Sequence, residues 1–205
     1  MVKKSLGVAT MPPLGWKLET HSFGGFWYNL FVKTKALFII DVQKGFLNKF
    51  TKDLPIKIAH FLEKKKEAFD YIFFFKFINK QNSNWTNQLN WYAMFNPPDT
   101  DIAIELEKFT INDNVFNKRA FFSAIKADNF LDFLKSKNIS EIYICGMDTH
   151  ACILITTMEA FEMGYNVKVI EDLCFSSHGR KYHKNAIDIL KRNLGKAIII
   201  KSSEL

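Results

Sequence analysis

A chain of 205 residues, 48% apolar and 24% charged, can bury one core of ordinary size and needs no second domain. The net charge of +7 raises the question of a nucleic-acid partner, but the lysines are scattered. Their only run of three, Lys64-Lys65-Lys66, shares a predicted helix with Ile58, Phe61 and Leu62 and reads as a solvated face, so no nucleic acid is expected.

Residues 1–34 read as an N-terminal extension, expected to be poorly ordered, because Pro12-Pro13-Leu14-Gly15 and Gly24-Gly25 interrupt any periodicity. The apolar stretch from Phe23 to Val32 is too short to cross a membrane, and no membrane association is expected. From Lys35 to Leu205 short apolar runs alternate with amphipathic stretches, the mark of βαβ units and a parallel sheet. Predicted strands cover Ala36 to Asp41, Tyr71 to Phe77, Val115 to Asn117, Glu141 to Cys145, Asn166 to Ile170 and Ala197 to Lys201.

The helices between them begin near Pro55, whose fixed φ suits a first turn. The next clear one runs from about Asn129 to Lys137, capped by Asp128, with Phe130, Leu131 and Leu134 on one stripe. Another spans Thr149 to Met163 and stops at Gly164, and the last runs from about Arg180 to Asn193 with Ser177 as N-cap and Ala186, Ile187 and Leu190 inward. Between Asn79 and Thr110 the pattern is irregular. Its aromatic density fits core, an oligomer interface or the wall of a substrate pocket.

Three cysteines, Cys145, Cys152 and Cys174, show neither disulfide nor zinc spacing, and with no secretory leader they point to a reducing cytoplasm. Cys152 stands out, because the run Ile142 to Cys145 breaks at Gly146 and re-enters helical pattern around it. A thiol in a first helical turn meets unpaired N–H groups and the positive end of the helix dipole, which favour a thiolate.

In open parallel sheets ligands sit beyond the carboxyl ends of the strands. That rule gathers Asp41, Lys118 and Cys152 at one edge: an ammonium to favour the thiolate, and a carboxylate to take the thiol proton and return it to a leaving group. Each has an ordinary alternative: a turn aspartate, a solvated lysine, a cysteine packed as a small hydrophobe.

These segments resemble the isochorismatase-like cysteine hydrolases, which include nicotinamidases and other small amidases. Ala36 to Phe46 is similar to the family's first strand with its catalytic aspartate, Asn117 to Ala124 to the segment around its lysine, and Cys145 to Cys152 to its strand, glycine turn and nucleophile. Ala160 to Val167 and Glu171 to Ser177 continue the pattern in order. The resemblance implies a three-layer α/β sandwich, with a six-stranded, mostly parallel sheet and helices on both faces. It further implies catalysis by Asp41, Lys118 and Cys152. A non-proline cis peptide between Met147 and Asp148 is implied too, with the backbone N–H groups of Asp148 and Cys152 forming an oxyanion hole.

Nicotinamidases carry an aspartate and several histidines after strand two that bind a metal. This chain reads Phe75-Lys76-Phe77-Ile78-Asn79-Lys80-Gln81-Asn82-Ser83-Asn84-Trp85 there, with neither residue type, so no metal ligands and no cofactor are expected and nicotinamide is a poor first guess. True isochorismatases lack the cysteine, which argues against that reaction. The expected activity is hydrolysis of a C–N bond in a small amide-like substrate through an acyl-enzyme on Cys152, in a homo-oligomer of unspecified size.

Candidate substrate contacts are Gln43, Phe46, Trp85, Trp91, Phe121 and Thr149. His150, two residues from Cys152, faces another side of the helix and fits a pocket mouth. His60, His178 and His183 read as surface or capping residues, and His21 falls in the extension. Two alternatives stand beside the hydrolase: the same trio acting on a different electrophile, and a catalytically retired oligomer that binds a metabolite or partner. A flavodoxin-like nucleotide module ranks below both, since Asp41-Val42-Gln43-Lys44-Gly45 is no glycine-rich phosphate loop.

Overall fold

The computed structural model describes residues 16–23 and 26–205, with side chains from Lys33 onward. The first elements depart from expectation. Strands β1 (Trp16–Phe23) and β2 (Phe26–Lys33) pair antiparallel as a separate two-stranded sheet, with Trp16 opposite Lys33 and Phe23 opposite Phe26. In the sequence they lie on either side of Gly24-Gly25, where the periodicity is interrupted. The rest of the extension, residues 1–15 and 24–25, lies outside the described residues, as does the expectation of poor order there.

The second sheet has six strands, all parallel: β3 (Lys35–Ile40), β4 (Tyr71–Ile78), β5 (Val115–Arg119), β6 (Glu141–Gly146), β7 (Asn166–Cys174) and β8 (Ile199–Ile200), in the order β5-β4-β3-β6-β7-β8. Its middle strands are continuous apolar runs because both faces are covered, and β3 from Ala36 to Ile40 is buried throughout. Among the described residues six α-helices connect the strands: α1 (Leu54–Lys65), α2 (Asn84–Asn87), α3 (Ile104–Glu107), α4 (Phe130–Ser136), α5 (Leu154–Glu162) and α6 (Arg180–Leu194). With right-handed crossovers, α1 and α3, which touch each other, cover one face, and α4, α5 and α6 cover the other.

Burial explains much of the phenylalanine content. Phe38, Phe73, Phe75 and Phe116 from three neighbouring strands meet Phe130 and Phe133 of α4, with Phe75 and Phe130 edge to face at 4.7 Å. Each fully buried ring contributes roughly 1.5 to 3 kcal/mol, and edge-to-face pairs add about 0.5 to 1.5 kcal/mol. On α1, Ile58, Phe61 and Leu62 point inward while Lys64 and Lys66 are exposed, the solvated face expected of the lysine run.

Two predicted caps are not made. Asp128 pairs with Arg119 Nε at 2.8 Å, and the left-handed Asn129 (φ 59°) precedes α4 without a side-chain cap bond. Gly179, not Ser177, is the N-cap of α6, because the Ser177 hydroxyl is spent on Asp148. The predicted helix from Thr149 also changes character: Thr149–Ile153 is one turn of π-helix, and α5 begins after it.

Chain order reverses between β3 and β6, which lie side by side although the chain moves outward from them in opposite directions. A crevice opens at such a switch point, and Asp41 and Cys152 both follow strands that border it.

Candidate active site

Asp41 leaves β3 in the left-handed region (φ 55°), a conformation aspartate tolerates better than most residues, and this turns its carboxylate off the strand. Lys118 sits on β5 opposite Phe77 of β4, so its long side chain must pass the end of β4 to reach β3. It does so over the Phe77 ring at 5.7 Å and meets Asp41 Oδ2 at 2.6 Å. The other two ammonium hydrogens go to the carbonyls of Phe121 at 3.2 Å and Phe122 at 2.9 Å. The left-handed Ala120 (φ 57°) lies in the bend that brings those carbonyls round. The lysine is 0% exposed and the aspartate 2%, a dry pair with every lysine donor used. Asp41 Oδ1 is buried without a hydrogen-bond partner among the described residues.

Cys152 is placed by glycine. A β-carbon on Gly146 (φ 116°) would overlap the carbonyl oxygen of Ile40, so only glycine lets β6 run against β3 where the chain turns toward the thiol. The Met147–Asp148 peptide that follows is cis, as the resemblance implies. Asp148 C=O accepts from the N–H groups of Ala151 at 3.0 Å and Ile153 at 3.1 Å, while its own N–H has no partner among the described residues. The turn is clamped from β7 and α6. Thr149 N–H donates to Phe175 O at 3.1 Å, Thr149 Oγ1 and His183 Nδ1 share a bond of 2.9 Å, and Asp148 accepts from Ser177 N–H and Ser177 Oγ, both at 2.6 Å.

The electrostatics amend the expectation of a ready thiolate. Burial pushes the Cys152 thiol up, the Asp41 charge pushes it further, and Lys118 only partly opposes them. Asp41 is also raised, by burial against the pull of Lys118 and Cys152. Burial alone would lower Lys118, but Asp41 and Cys152 outweigh it and hold it above its ordinary value. The common cause is one buried ammonium facing two acids. It compensates one negative charge, so thiol and carboxylate compete for a single proton, and both are held above their ordinary values.

Asp41, Phe46, Trp85, Trp91 and Cys152 line one cavity of about 730 Å³, a size suited to a small molecule. Phe46 and Trp91 stack at 6.5 Å with 8° between their planes, and Trp85 leans on Phe122 at 4.8 Å while donating Nε1–H to Ala120 O at 3.0 Å. Three expected contacts are elsewhere. Gln43 is wholly buried, its amide bridging Phe77 N–H, Phe77 O and Thr100 O at 2.7, 3.0 and 2.9 Å, so it ties loops rather than facing the cavity. The Phe121 ring is outward and its neighbour Phe122 lines the wall instead, because it is the Phe121 carbonyl that turns in toward Lys118. Thr149 is buried with its hydroxyl on His183.

The histidines divide similarly. His60 is exposed, as expected. His183 is buried, stacked on Phe175 at 5.1 Å, and is neither a surface nor a capping residue. His150 and His178 both line the cavity. Burial holds the His150 imidazole below its ordinary value, opposed by Asp148 and reinforced by His178. Leu89, Ile155, Ser177 and His178 also line the cavity and carry no distinguishing signal in the sequence.

The segment after β4 does not fit a metal. Asn79 there bonds through Nδ2 to Trp91 O and Ala93 O and accepts at Oδ1 from Lys80 N–H and Ser83 Oγ, so its amide is saturated by the loop it holds. Its neighbours offer neither imidazole nor carboxylate up to Trp85.

Among known proteins this chain resembles one relative in sequence and two solved structures in fold. Isochorismatase family protein 2A of Dictyostelium discoideum is 25% identical over 177 residues, covering 84% of this chain and 80% of that protein. N-carbamoylsarcosine amidase from Thermoplasma acidophilum superposes with a TM-score of 0.70 at 15% identity, over 84% of this chain and 98% of that one. Pyrazinamidase/nicotinamidase from Streptococcus mutans gives 0.69 at 22% identity, over 82% and 100%. The family model for the isochorismatase domain matches residues 35–202, from the first strand of the parallel sheet past its last, and the chain belongs to the isochorismatase family.

Proposed function

We propose that this protein is a cysteine-dependent hydrolase of a C–N bond in a small amide-like compound. Cys152 Sγ attacks the carbonyl carbon while Asp41 Oδ1 takes the thiol proton, so nucleophile and base act in one step and no standing thiolate is needed. Lys118 holds Asp41 in place and compensates the negative charge as it moves from carboxylate to sulfur. The N–H groups of Asp148 and Cys152 receive the oxyanion, a role supported by the unpartnered Asp148 N–H. Collapse of the tetrahedral intermediate releases the amine with the proton from Asp41. Water then hydrolyses the thioester.

One observation carries the reading: a dry Lys118–Asp41 pair at 2.6 Å whose second carboxylate oxygen is left without a partner, on the cavity that Cys152 also lines. A buried ion pair is a poor stabiliser and a buried unpaired oxygen is costly, so the arrangement makes sense as stored proton-accepting capacity. Family membership supports a hydrolase in general terms. The aromatic walls favour a substrate with an apolar or planar body, and the residues after β4 weigh against a metal held there as in nicotinamidases.

We further infer a homo-oligomer, for which Ile155 of α5 and Ile189 of α6, exposed along one groove, offer an apolar surface. A reducing cytoplasm fits the three unpaired cysteines. No helix among the described residues is long and apolar enough to cross a membrane.

The test is ammonia release from a panel of small amides, ureido compounds, carbamoyl amines and nicotinamide, with and without added divalent metal. Turnover of at least one non-nicotinamide amide, absent in Cys152→Ala, is expected. Saturable binding of panel members with no turnover of any would favour the retired binding protein instead.

A further inference from the structure

On the cavity that Asp41 and Cys152 also line, Asp148, His150 and His178 bring a carboxylate oxygen and two imidazole nitrogens within 4.8 Å of one another. We propose that they bind a divalent transition metal ion of the zinc, cobalt or nickel kind. Two imidazoles and one carboxylate suit such borderline ions better than magnesium or calcium, which prefer an all-oxygen shell.

The groups behind the donors fit that role. His150 Nδ1 shares a hydrogen bond with Ser176 Oγ at 2.9 Å and His178 Nδ1 with Ser177 Oγ at 3.2 Å, while Nε2 of each ring has no protein partner among the described residues. Histidines that ligate metals commonly have their other nitrogen held in this way. Asp148 is fixed by the Ser177 N–H and hydroxyl, both at 2.6 Å, and each carboxylate oxygen keeps a lone pair. The two chain segments are locked together by the Thr149 N–H to Phe175 O bond of 3.1 Å and the Thr149–His183 bond of 2.9 Å. Three protein ligands leave a coordination position free, and the donors border the cavity that Cys152 also borders.

An ion here would be held by residues other than those of the segment after β4, which do not fit one. Its free position offers a hold for a carboxylate or another lone-pair donor on a molecule in the cavity. That last consequence rests on the hydrolase reading, whereas binding of the ion does not.

The full-length protein, stripped with a chelator, is titrated with zinc by calorimetry and with cobalt by visible absorption. One ion per chain is expected, weakened at least about 100-fold in His178→Ala and in His150→Ala, given that loss of even an outer partner costs 10- to 100-fold. The cobalt spectrum should be that of nitrogen and oxygen ligands and should persist in Cys152→Ala. His178 is exposed, so its variant should keep the wild-type melting temperature. No saturable binding, equal binding by the double histidine variant, or a thiolate charge-transfer band lost in Cys152→Ala would each overturn the site. Ammonia release, measured separately, reports on the hydrolase reading alone.

Discussion

Lys118 and Asp41 meet at 2.6 Å with neither side chain more than 2% exposed, whereas on the same cavity His150 is half-buried and His178 is exposed. On the first wall all three ammonium hydrogens are taken and the geometry is fixed by two strand ends. On the second wall the ring nitrogens keep free valences, and placement comes from a turn and a loop bound to each other. The contrast is between a dry pair whose donors are all used and a more exposed set whose ring nitrogens are only partly bonded. Cys152 lines the same cavity, and its thiol feels burial and the charges of Asp41 and Lys118.

Removing the carboxylate charge should separate the walls most sharply. Asp41→Asn should lower kcat by about 10²- to 10⁴-fold, the usual worth of a positioned general base. The same change removes a charge that pushes the Cys152 thiol up while Lys118 remains, so the thiol should ionise more readily. Iodoacetamide should therefore label Asp41→Asn faster than wild type at neutral pH while amide turnover collapses. Labelling of wild type should keep climbing with pH past the ordinary thiol value of 9.0. A wild-type plateau near neutrality would mean that a standing thiolate exists.

Lys118→Ala leaves a buried carboxylate without its partner and should cost about 3 to 5 kcal/mol of stability, read by denaturant unfolding. Gln43→Ala should cost about 1 to 3 kcal/mol by stranding the Phe77 and Thr100 backbone groups, with less effect on KM than Trp91→Ala, whose ring faces the cavity. The smallest effect concerns His183. Burial holds its imidazole below 6.5, against Glu171 and with Lys201, so the unfolded chain binds the proton more readily. Stability from this group is thus present above pH 6.5 and lost as pH falls below it, and His183→Gln should flatten the melting temperature across that window.

What could be read in the sequence follows the same division. Strand ends are legible, because period, length and β-branched runs locate β3, β5 and β6, and the strand-end rule then brings Asp41, Lys118 and Cys152 to one edge. The thiol's charge state was not legible, since it depends on how many buried charges face one ammonium, and sequence spacing carries no such count. Gln43 and Phe121 are illegible for a related reason: each lies within two residues of a cavity residue in sequence, yet once the backbone turns at Asp41 and Ala120 the Gln43 amide ties buried backbone groups and the Phe121 carbonyl, not its ring, turns toward Lys118. Ser177 reads as a helix cap by type and position, yet Asp148 competes for its hydroxyl from a segment 29 residues away. His178 meets His150 at 5.1 Å only because the loop after β7 folds back over the turn that precedes Cys152, a long-range event with no local signature. The antiparallel pair β1–β2 is not legible from periodicity, since polar residues interrupt Trp16–Phe23.

Intact-protein mass spectrometry during turnover of an amide from the panel tests the central claim most directly. Expected is a transient gain equal to the acyl group, mapped to the peptide containing Cys152, prolonged when deacylation is slowed by low temperature and absent in Cys152→Ala. Sustained ammonia release by Cys152→Ala, or an acyl group mapped to another residue, would contradict it.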